Sequence, residues 1–232
     1  RTILPKLNKD EMIEISKIYS IADLINEEYG MIKKRPFRSP HHSTTMQSLV
    51  GGGYNSKPGE ITLSHRGVLF LDEIAEFDKK ILESLRQPIE DKYVNISRVR
   101  HSVKYPCNML VIAAMNPCPC GLYLSNTECR CQSFEIIRYK NKLSGPLLDR
   151  FDIFVEMAQI TFKKLNDKSQ EESSKDIRAR VEKAREIQRK RFENEAISTN
   201  NEMTTVMIDK YCKLDNETKK ILDEIYNKHE LS

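Results

Sequence analysis

The stretch Gly67-Val68-Leu69-Phe70-Leu71-Asp72-Glu73 decides how the fold of this chain is interpreted. Four large apolar residues opened by a glycine are too few for a helix of their own, and they are typical of a strand covered on both faces of a parallel sheet. In open α/β sheets, ligands bind at the carboxyl ends of the strands. Asp72 and Glu73 are therefore predicted to form a metal-phosphate site, with Asp72 facing Mg2+ and Glu73 orienting an attacking water. A buried strand that ends in a solvated acidic turn fits these seven residues equally well.

A second apolar run, from Met109 to Ala114, predicts another buried strand, which ends at Asn116-Pro117. If the two strands are neighbours, Asn116 lies beside the acids. Its amide can there hold the attacking water or a γ-phosphate oxygen. The plainer alternative is an Asn that only turns the chain before Pro117.

Arg150 stands between two acids in the segment Ser144-Gly145-Pro146-Leu147-Leu148-Asp149-Arg150-Phe151-Asp152. It can form a structural ion pair with Asp149 or Asp152. It can also project at the γ-phosphate of a neighbouring subunit, where an arginine finger neutralises transition-state charge.

Two closely spaced cysteine pairs follow Asn116. Cys118-Pro119-Cys120 and Cys129-Arg130-Cys131 are separated by eight residues, and four thiolates can close around a tetrahedral Zn2+ and staple this loop. The C-x-C spacing is tighter than the usual C-x2-C, and four reduced thiols are the alternative. Cys107 and Cys212 have no partner by spacing and are expected to be ordinary thiols.

The composition describes a soluble and rather polar globular chain, with 39% hydrophobic and 31% charged residues among 232. The longest apolar run, Met109 to Met115, is far too short to span a bilayer, so no membrane association is expected. Lys and Arg exceed Asp and Glu, 38 against 34, which permits nucleic-acid contact without demanding it. Six cysteines with no export signal favour a cytoplasmic location, with metal or free thiol rather than disulfide.

Helical periodicity, strand alternation and turn residues predict the remaining elements. They are a helix from Lys9 to Glu27, a helix from Asp78 to Leu85 stopped near Pro88, strands Tyr93–Ser97 and Ser102–Tyr105 joined by a basic tip, a third core strand at Ile153–Val155, a helix that begins after Ser173, and a last helix that Asp215 caps and that turns Ile221, Leu222 and Ile225 inward.

The order FLDE, NP and GPLLDRFD resembles the Walker B, sensor 1 and arginine-finger motifs of AAA+ ATPases. More specifically, RPFRSPHHS, GGG, PGEITLSHRGVLFLDEI, LRQPIED, ISR, AAMNPCPCG and SGPLLDRFD resemble the magnesium-chelatase-like AAA+ family of the ComM (YifB) type, almost continuously from Leu4 to Val155. The resemblance implies an α/β fold with an αβα AAA+ core, a mainly parallel sheet, a β-hairpin insert and a small helical lid. The implied limits are 1–160 for the core, with hairpin 93–105 and cysteine loop 118–131, then 161–174 for a linker and 175–232 for a partial lid.

The same resemblance implies a ring, usually a hexamer, that binds ATP and Mg2+ and drives branch migration of DNA during recombination of incoming DNA. Asp72 would position Mg2+, Glu73 would activate water, Asn116 would sense the γ-phosphate, and Arg150 would act on the neighbour's nucleotide. Hairpin 93–105 and an insert in helix 2, Arg35 to Glu60 with His41 and His42, correspond to elements that line the pore of similar motors. The residues then expected to meet DNA phosphates are Arg98, Arg100, His101 and Lys104. The alternative for them is an ordinary solvated hairpin tip.

No glycine of the chain is followed by lysine, so the phosphate-cradling G-x-x-x-x-G-K-[ST] loop is absent. The family places that loop directly upstream of a segment resembling RTILPKL, so the chain is expected to begin just behind its own P-loop and to stop before the sensor 2 arginine. Such a fragment alone is expected to bind ATP weakly without turning it over. Two other functions stay open: a magnesium-chelatase motor subunit acting on a metal-insertion partner, and a non-catalytic binding or regulatory module.

Overall fold

The computed structural model describes residues 1–25, 30–97, 102–123, 125, 127–157 and 172–229. The chain falls into two compact units, Arg1–Glu171 and Glu172–Ser232. The elements of the first unit are α1 (Lys9–Ile21), β1 (Phe37–Arg38), α2 (Met46–Val50), β2 (Gly51–Gly52), β3 (Lys57–Pro58), α3 (Glu60–Leu63), β4 (Val68–Leu71), a 3-10 turn (Ile74–Glu76), α4 (Lys79–Ser84), α5 (Arg86–Asp91), β5 (Tyr93–Ser97), β6 (Ser102–Pro106), β7 (Leu110–Ala113), α6 (Ser133–Lys140) and α7 (Gly145–Leu148).

The central sheet is parallel, in the order β1-β4-β7. Its middle strand is the apolar run of the opening motif, in which Val68, Leu69 and Leu71 are almost completely buried. Parallel strands are normally covered on both faces, which explains why this strand is continuously apolar rather than alternating. The predicted buried strand is confirmed. The core around it includes Leu49, Leu82, Leu85, Val94 and Leu147.

Strand β1 corrects the interpretation of Arg35–Glu60 as an insert in a helix. Phe37 and Arg38 pair in register with Val68 and Leu69, so this part of the segment belongs to the central sheet. The Val68 N–H donates to the Pro36 carbonyl oxygen at 2.9 Å. A Cβ on Gly67 would lie 2.2 Å from the same oxygen. Gly67 is therefore required by the close approach of β1, not only by a turn.

Three further element predictions were wrong in detail. Helix α1 ends at Ile21, because Asp23 adopts a left-handed backbone (φ 57°) that a helix cannot continue through. Pro88 does not stop the helical region: a new helix, α5, starts at Arg86, and Pro88 stands in its first turn, where its missing N–H has no partner to lose. Residues 153–155 form no strand and are exposed.

The second unit contains α8 (Ser174–Arg191), a 3-10 turn (Asn200–Glu202), α9 (Thr205–Tyr211) and α10 (Asn216–His229). Both predicted caps are confirmed: Ser173 accepts from the Asp176 N–H at 3.3 Å, and Asp215 accepts from the Thr218 N–H at 2.7 Å. The predicted inward face of α10 is wrong. Its apolar residues Ile221, Leu222 and Ile225 are exposed.

Within the described ranges, no helix combines the length and the apolar composition that a bilayer crossing needs.

Candidate nucleotide-hydrolysis site and cysteine cluster

Asp72 and Glu73 lie at the carboxyl end of the middle strand of the sheet. Leu71, just before them, pairs with Ala113 of β7. Beyond that pair, the Ala114 N–H donates to the Leu71 carbonyl oxygen, and the Ile74 N–H donates to the Ala114 carbonyl oxygen, both at 3.0 Å. The segments that follow β4 and β7 are therefore hydrogen-bonded to each other beyond the ends of the strands. Asn116 is exposed and comes two residues after Ala114, so it lies at the same edge of the sheet as the acids.

A backbone reversal at Glu73 keeps both acids in solvent. Glu73 has φ 49° and ψ 46°, a left-handed conformation that costs a non-glycine residue about 1–2 kcal/mol. Its N–H donates to the Asp72 Oδ1 at 3.0 Å. Directly after the reversal, Ile74 and Ala75 are buried. The strained turn thus lets the chain return to the core immediately after presenting two exposed carboxylates.

His42 is a neighbour of Glu73 that sequence reasoning treated only as part of an insert. Its Nδ1 lies 3.5 Å from the Glu73 Oε2, and its ring packs against His41 (centroids 4.0 Å apart) and edge-on to Phe77 (6.4 Å). The available signal was its place in the chain, four residues after the last residue of β1. The carboxyl ends of neighbouring parallel strands meet at one edge of a sheet.

Helix α6 and the residues just after it also lie near the acidic turn. Lys142, just after the helix, lies 3.3 Å from Glu76. Tyr139 is buried, and burial raises the pKa of its phenol, with the negative charges of Glu76 and Glu73 adding to the increase. The acidic turn therefore lies close enough to Tyr139 to affect its ionisation.

Arg150 is held within its own subunit in this structure. Its Nη1 donates to the Pro146 carbonyl oxygen at 2.5 Å, and its Nη2 forms an ion pair with Glu90. The predicted ion-pair partners, Asp149 and Asp152, were wrong, because the turn after α7 directs the guanidinium towards α5 instead. The Nε of Arg150 is buried without a partner among the described residues.

The predicted hairpin is present. Strands β5 and β6 pair antiparallel from Tyr93 opposite Pro106 to Ser97 opposite Ser102, and the Tyr105 hydroxyl anchors the hairpin to the Ser56 carbonyl oxygen at 3.0 Å. Of the residues expected to meet DNA, Arg98, Arg100 and His101 lie outside the described residues. Lys104 is exposed, with its Nζ 3.5 Å from the centre of the Tyr93 ring.

The four loop cysteines come together in space. The sulfurs of Cys118, Cys120, Cys129 and Cys131 all lie within 4.8 Å of one another. The measured separations are 3.4 Å from Cys118 to Cys120, 3.7 Å from Cys118 to Cys129 and 3.6 Å from Cys120 to Cys129. All six cysteines are free thiols, and these distances far exceed the roughly 2.0 Å of a disulfide.

Backbone N–H groups face two of these sulfurs. The Tyr123 N–H donates to the Cys118 sulfur at 3.3 Å, and a hydrogen bond from the Leu122 backbone lowers the pKa of Cys120 to about 6. The two cysteines outside the cluster, Cys107 and Cys212, agree with the expectation of ordinary thiols. Cys107 is buried, which raises its pKa to about 12 and keeps it an inert thiol, and Cys212 is an exposed one.

Two family models cover nearly all of the sequence. The model described as magnesium chelatase, subunit ChlI, matches residues 1–165, and the model described as magnesium chelatase, subunit ChlI C-terminal, matches residues 171–232. The chain belongs to the magnesium chelatase ChlI family. Membership confirms the resemblance drawn from the motifs, and the parallel sheet confirms the predicted α/β core.

The chain is also similar to individual proteins. It is 41% identical over 232 residues to the competence protein ComM of Haemophilus influenzae, covering 99% of this chain and 44% of ComM. It is 41% identical over 221 residues to the uncharacterized protein YifB of Escherichia coli, covering 93% of this chain and 42% of YifB. The magnesium-chelatase 67 kDa subunit of Heliobacterium mobile is 28% identical over 144 residues, 61% of this chain and 20% of that subunit. The chain thus spans less than half the length of these relatives.

Proposed function

We propose that the protein to which this chain belongs hydrolyses ATP as a ring-forming motor of the ComM type and uses the energy to move DNA. The observation that carries the ATPase part is the shared carboxyl edge of β4 and β7, where Asp72, Glu73 and Asn116 stand together in solvent. Two acids and an amide at this edge are among the groups that phosphoryl transfer to water uses, in addition to the phosphate-cradling loop that this sequence lacks.

The two carboxylates fit the proposed cofactors, ATP and Mg2+. Mg2+ prefers oxygen ligands and is usually bound through one or two carboxylates together with substrate phosphates, and exposed Asp72 offers such an oxygen. Bound Mg2+ would neutralise charge on the phosphates. Glu73 takes the proton of the attacking water, and the Asn116 amide donates to the γ-phosphate or to that water. A structural Zn2+ held by the four loop cysteines belongs to the same proposal.

Arg150 is proposed to act across a subunit boundary. An arginine finger must leave any partner that it has within its own subunit before it can reach a neighbour's nucleotide. The Glu90 carboxylate that pairs with Arg150 is exposed for 61% of its side-chain surface. Arg150 itself is only 24% exposed and also donates to the Pro146 carbonyl oxygen, so reaching a phosphate requires it to leave both partners. The exposed Glu90 carboxylate would return to water at little cost. This is consistent with self-association into a ring, for which six subunits is the proposed number.

The DNA part rests on the relatives and on the basic hairpin. Identity is higher and more extensive to the competence protein ComM than to the magnesium-chelatase 67 kDa subunit, 41% against 28%. The tip of the hairpin carries Arg98, Arg100 and His101, with Lys104 nearby on β6. Cationic side chains of this kind bind the phosphate backbone without sequence preference and in a salt-dependent way.

ATP hydrolysis by the intact protein, measured without DNA, with single-stranded DNA and with branched DNA, tests this proposal. We expect the rate to rise with DNA and the increase to weaken with added salt. An unchanged rate would rule out the DNA motor in favour of a magnesium-chelatase type of motor, whose rate should respond to a protein partner instead. A complete lack of hydrolysis would favour the non-catalytic module.

A matched pair of variants distinguishes a specific role of the hairpin in DNA stimulation from an effect of the net charge of the protein. Replacing Arg98 and Arg100 by alanine should abolish most of the DNA stimulation. Replacing Lys79 and Lys80, which are exposed on α4, removes the same charge elsewhere and should leave the stimulation in place. Equal losses in both variants would contradict a specific role of the hairpin.

A further inference from the structure

The cysteine cluster begins two residues beyond Asn116. Ala114 is fixed to the sheet through its N–H bond to the Leu71 carbonyl oxygen, and Cys118 is fully buried. Only Met115, Asn116 and Pro117 lie between these two points. Asn116 is therefore the middle residue of a short span whose two ends are the sheet and the cluster.

Hydrophobic burial does not hold the loop that contains the cluster. Among the described residues from 119 to 132 none is buried, and none belongs to a helix or a strand. Gly121, inside the loop, has a positive φ of 77° and open space around it. Thiols are weak hydrogen-bond donors and acceptors, so four of them add little to one another without an ion. The four sulfurs therefore come together in a loop with little apolar packing, as expected of a site that binds an ion through sulfur.

The geometry fits a single tetrahedral metal ion. Zinc–sulfur bonds of about 2.3 Å place the four sulfurs of a tetrahedron about 3.8 Å apart. The sulfurs of Cys118, Cys120 and Cys129 lie 3.4 to 3.7 Å apart, and the Cys131 sulfur lies within 4.8 Å of each of them. Four thiolates make a closed site with no position left for water, which is the pattern of structural rather than catalytic zinc. The backbone N–H groups that point at Cys118 and Cys120 supply the outer hydrogen bonds that orient thiolate ligands.

We propose that Zn2+ bound by Cys118, Cys120, Cys129 and Cys131 fixes the segment that carries Asn116, so that sensing of the γ-phosphate depends on metal occupancy. The metal site stands on the cluster geometry alone, whereas its effect on sensing rests on the function proposed above. The cysteines are positioning residues, because they act on the nucleotide only through Asn116.

Metal analysis of the purified protein tests the site without any need for activity. We expect about one zinc per chain, as for a closed four-cysteine site, retained in Cys212→Ser and lost in Cys129→Ser. Cys212 is the matched control, since it is an exposed thiol of the second unit. Zinc at background level, iron in its place, or full zinc in Cys129→Ser would each overturn the site, whether or not the protein hydrolyses ATP.

Nucleotide kinetics of the intact protein test the positioning role. Cys129→Ser should lower kcat while leaving the affinity for ADP close to wild type, as Asn116→Ala should, because ADP has no γ-phosphate to sense. Combining the two substitutions should be little worse than the more severe one alone, since both disable one group. Fully multiplicative losses, or a wild-type kcat in zinc-free Cys129→Ser, would overturn the coupling.

Rescue separates positioning from misfolding. Cys129→His replaces the sulfur ligand by a nitrogen ligand, and three cysteines with one histidine are a common zinc set. This variant should recover both the zinc and most of the kcat that Cys129→Ser loses. Recovery of zinc without recovery of kcat would show that the metal only supports the loop.

Discussion

The charged side chains at the two ends of the central sheet differ in their exposure and in their pairing. At the amino ends of the strands, Arg35 donates to both oxygens of Glu11, at 3.1 and 3.0 Å, and to the Pro5 carbonyl oxygen at 2.7 Å. The side chains of Arg35 and Glu11 are only 15% and 18% exposed. At the carboxyl ends, the Glu73 side chain is 52% exposed, and among the described residues the basic side chain in close contact with it is His42.

This difference separates structural charges from available ones. A mostly buried pair with several hydrogen bonds is costly to break, because the remaining charge is left buried without its partner, so its role is structural. An exposed carboxylate in a turn can change partners at little cost. The amino end is therefore expected to determine stability, and the carboxyl end to determine chemistry.

The largest effect is expected from Glu73→Gln in the intact protein. The substitution keeps the shape of the side chain but removes the proton acceptor, so ATP turnover should fall by about 100-fold to 10,000-fold. Stability should not change, because the carboxylate is exposed and weakly partnered. Steady-state hydrolysis and thermal unfolding, measured on the same preparation, check both statements.

Glu76→Gln is the matched control for Glu73. It makes the same change three residues further on, at a carboxylate that pairs with Lys142 at 3.3 Å. An exposed pair of this kind is worth at most about 1 kcal/mol, so turnover should change only a few-fold. Similar losses in both variants would mean that the edge responds to charge in general and not to one base.

Arg35→Ala should have the opposite profile. It leaves Glu11 without its charged partner and frees the carbonyl oxygens of Pro5 and Arg66, to which Arg35 donates at 2.7 Å each. We expect a loss of about 3 kcal/mol in the free energy of unfolding, measured as a lower urea midpoint with an unchanged slope. Lys34→Ala, the exposed neighbouring residue, should stay within about 0.5 kcal/mol of wild type. A large loss in Lys34→Ala, or none in Arg35→Ala, would contradict the assignment.

The carboxyl end could be predicted from the sequence, and the amino end could not. An apolar run followed by two acids predicts a buried strand and its ligand-binding edge from only seven consecutive residues. In the same way, the alternation of apolar and polar residues in Tyr93–Ser97 predicts that strand from neighbouring residues alone. The Arg35–Glu11 pair joins residues 24 apart, with no pattern in between. Strand β1 is two residues long and lies between prolines, so only its pairing with β4 makes it a strand.

The cysteine cluster is an intermediate case. The spacing of Cys118, Cys120, Cys129 and Cys131 predicted a shared site, and the structure brings the four sulfurs together. The spacing did not reveal that Cys118 is fully buried while Cys120 is exposed. That asymmetry depends on how the loop packs in three dimensions, which a spacing pattern does not contain.

A smaller effect is expected from His42→Ala, which tests whether Glu73 depends on its contact with His42. The 3.5 Å contact with Glu73 is longer than a hydrogen bond and about half-exposed. Turnover should therefore fall no more than about five-fold. His41→Ala is the control, since the Nδ1 of His41 lies 2.8 Å from the Ser43 hydroxyl rather than near an acid. A loss as large as that of Glu73→Gln would make His42 part of the base itself.

The smallest effect is a pH dependence that should come from the amino end. His65 is buried, and burial lowers its pKa. Its Nδ1 accepts from the Asn108 N–H at 3.1 Å, so Nε2 carries the proton and faces Glu14 at 3.2 Å. Unfolded His65 takes up a proton near its ordinary pKa of about 6.5, whereas the folded chain resists protonation, so stability should be complete above that pH and fall as the pH drops below it.

Urea unfolding at about pH 7.5 and about pH 5.5, on either side of the ordinary histidine pKa, measures this dependence. In His65→Asn the side-chain oxygen can replace Nδ1 as the acceptor, and the titrating group is gone, so the loss of stability between the two pH values should become smaller. His41→Ala removes a histidine from the carboxyl end and should keep the wild-type loss. The reverse result would place the pH-sensitive charge at the exposed end of the sheet, against the division of roles between the two ends.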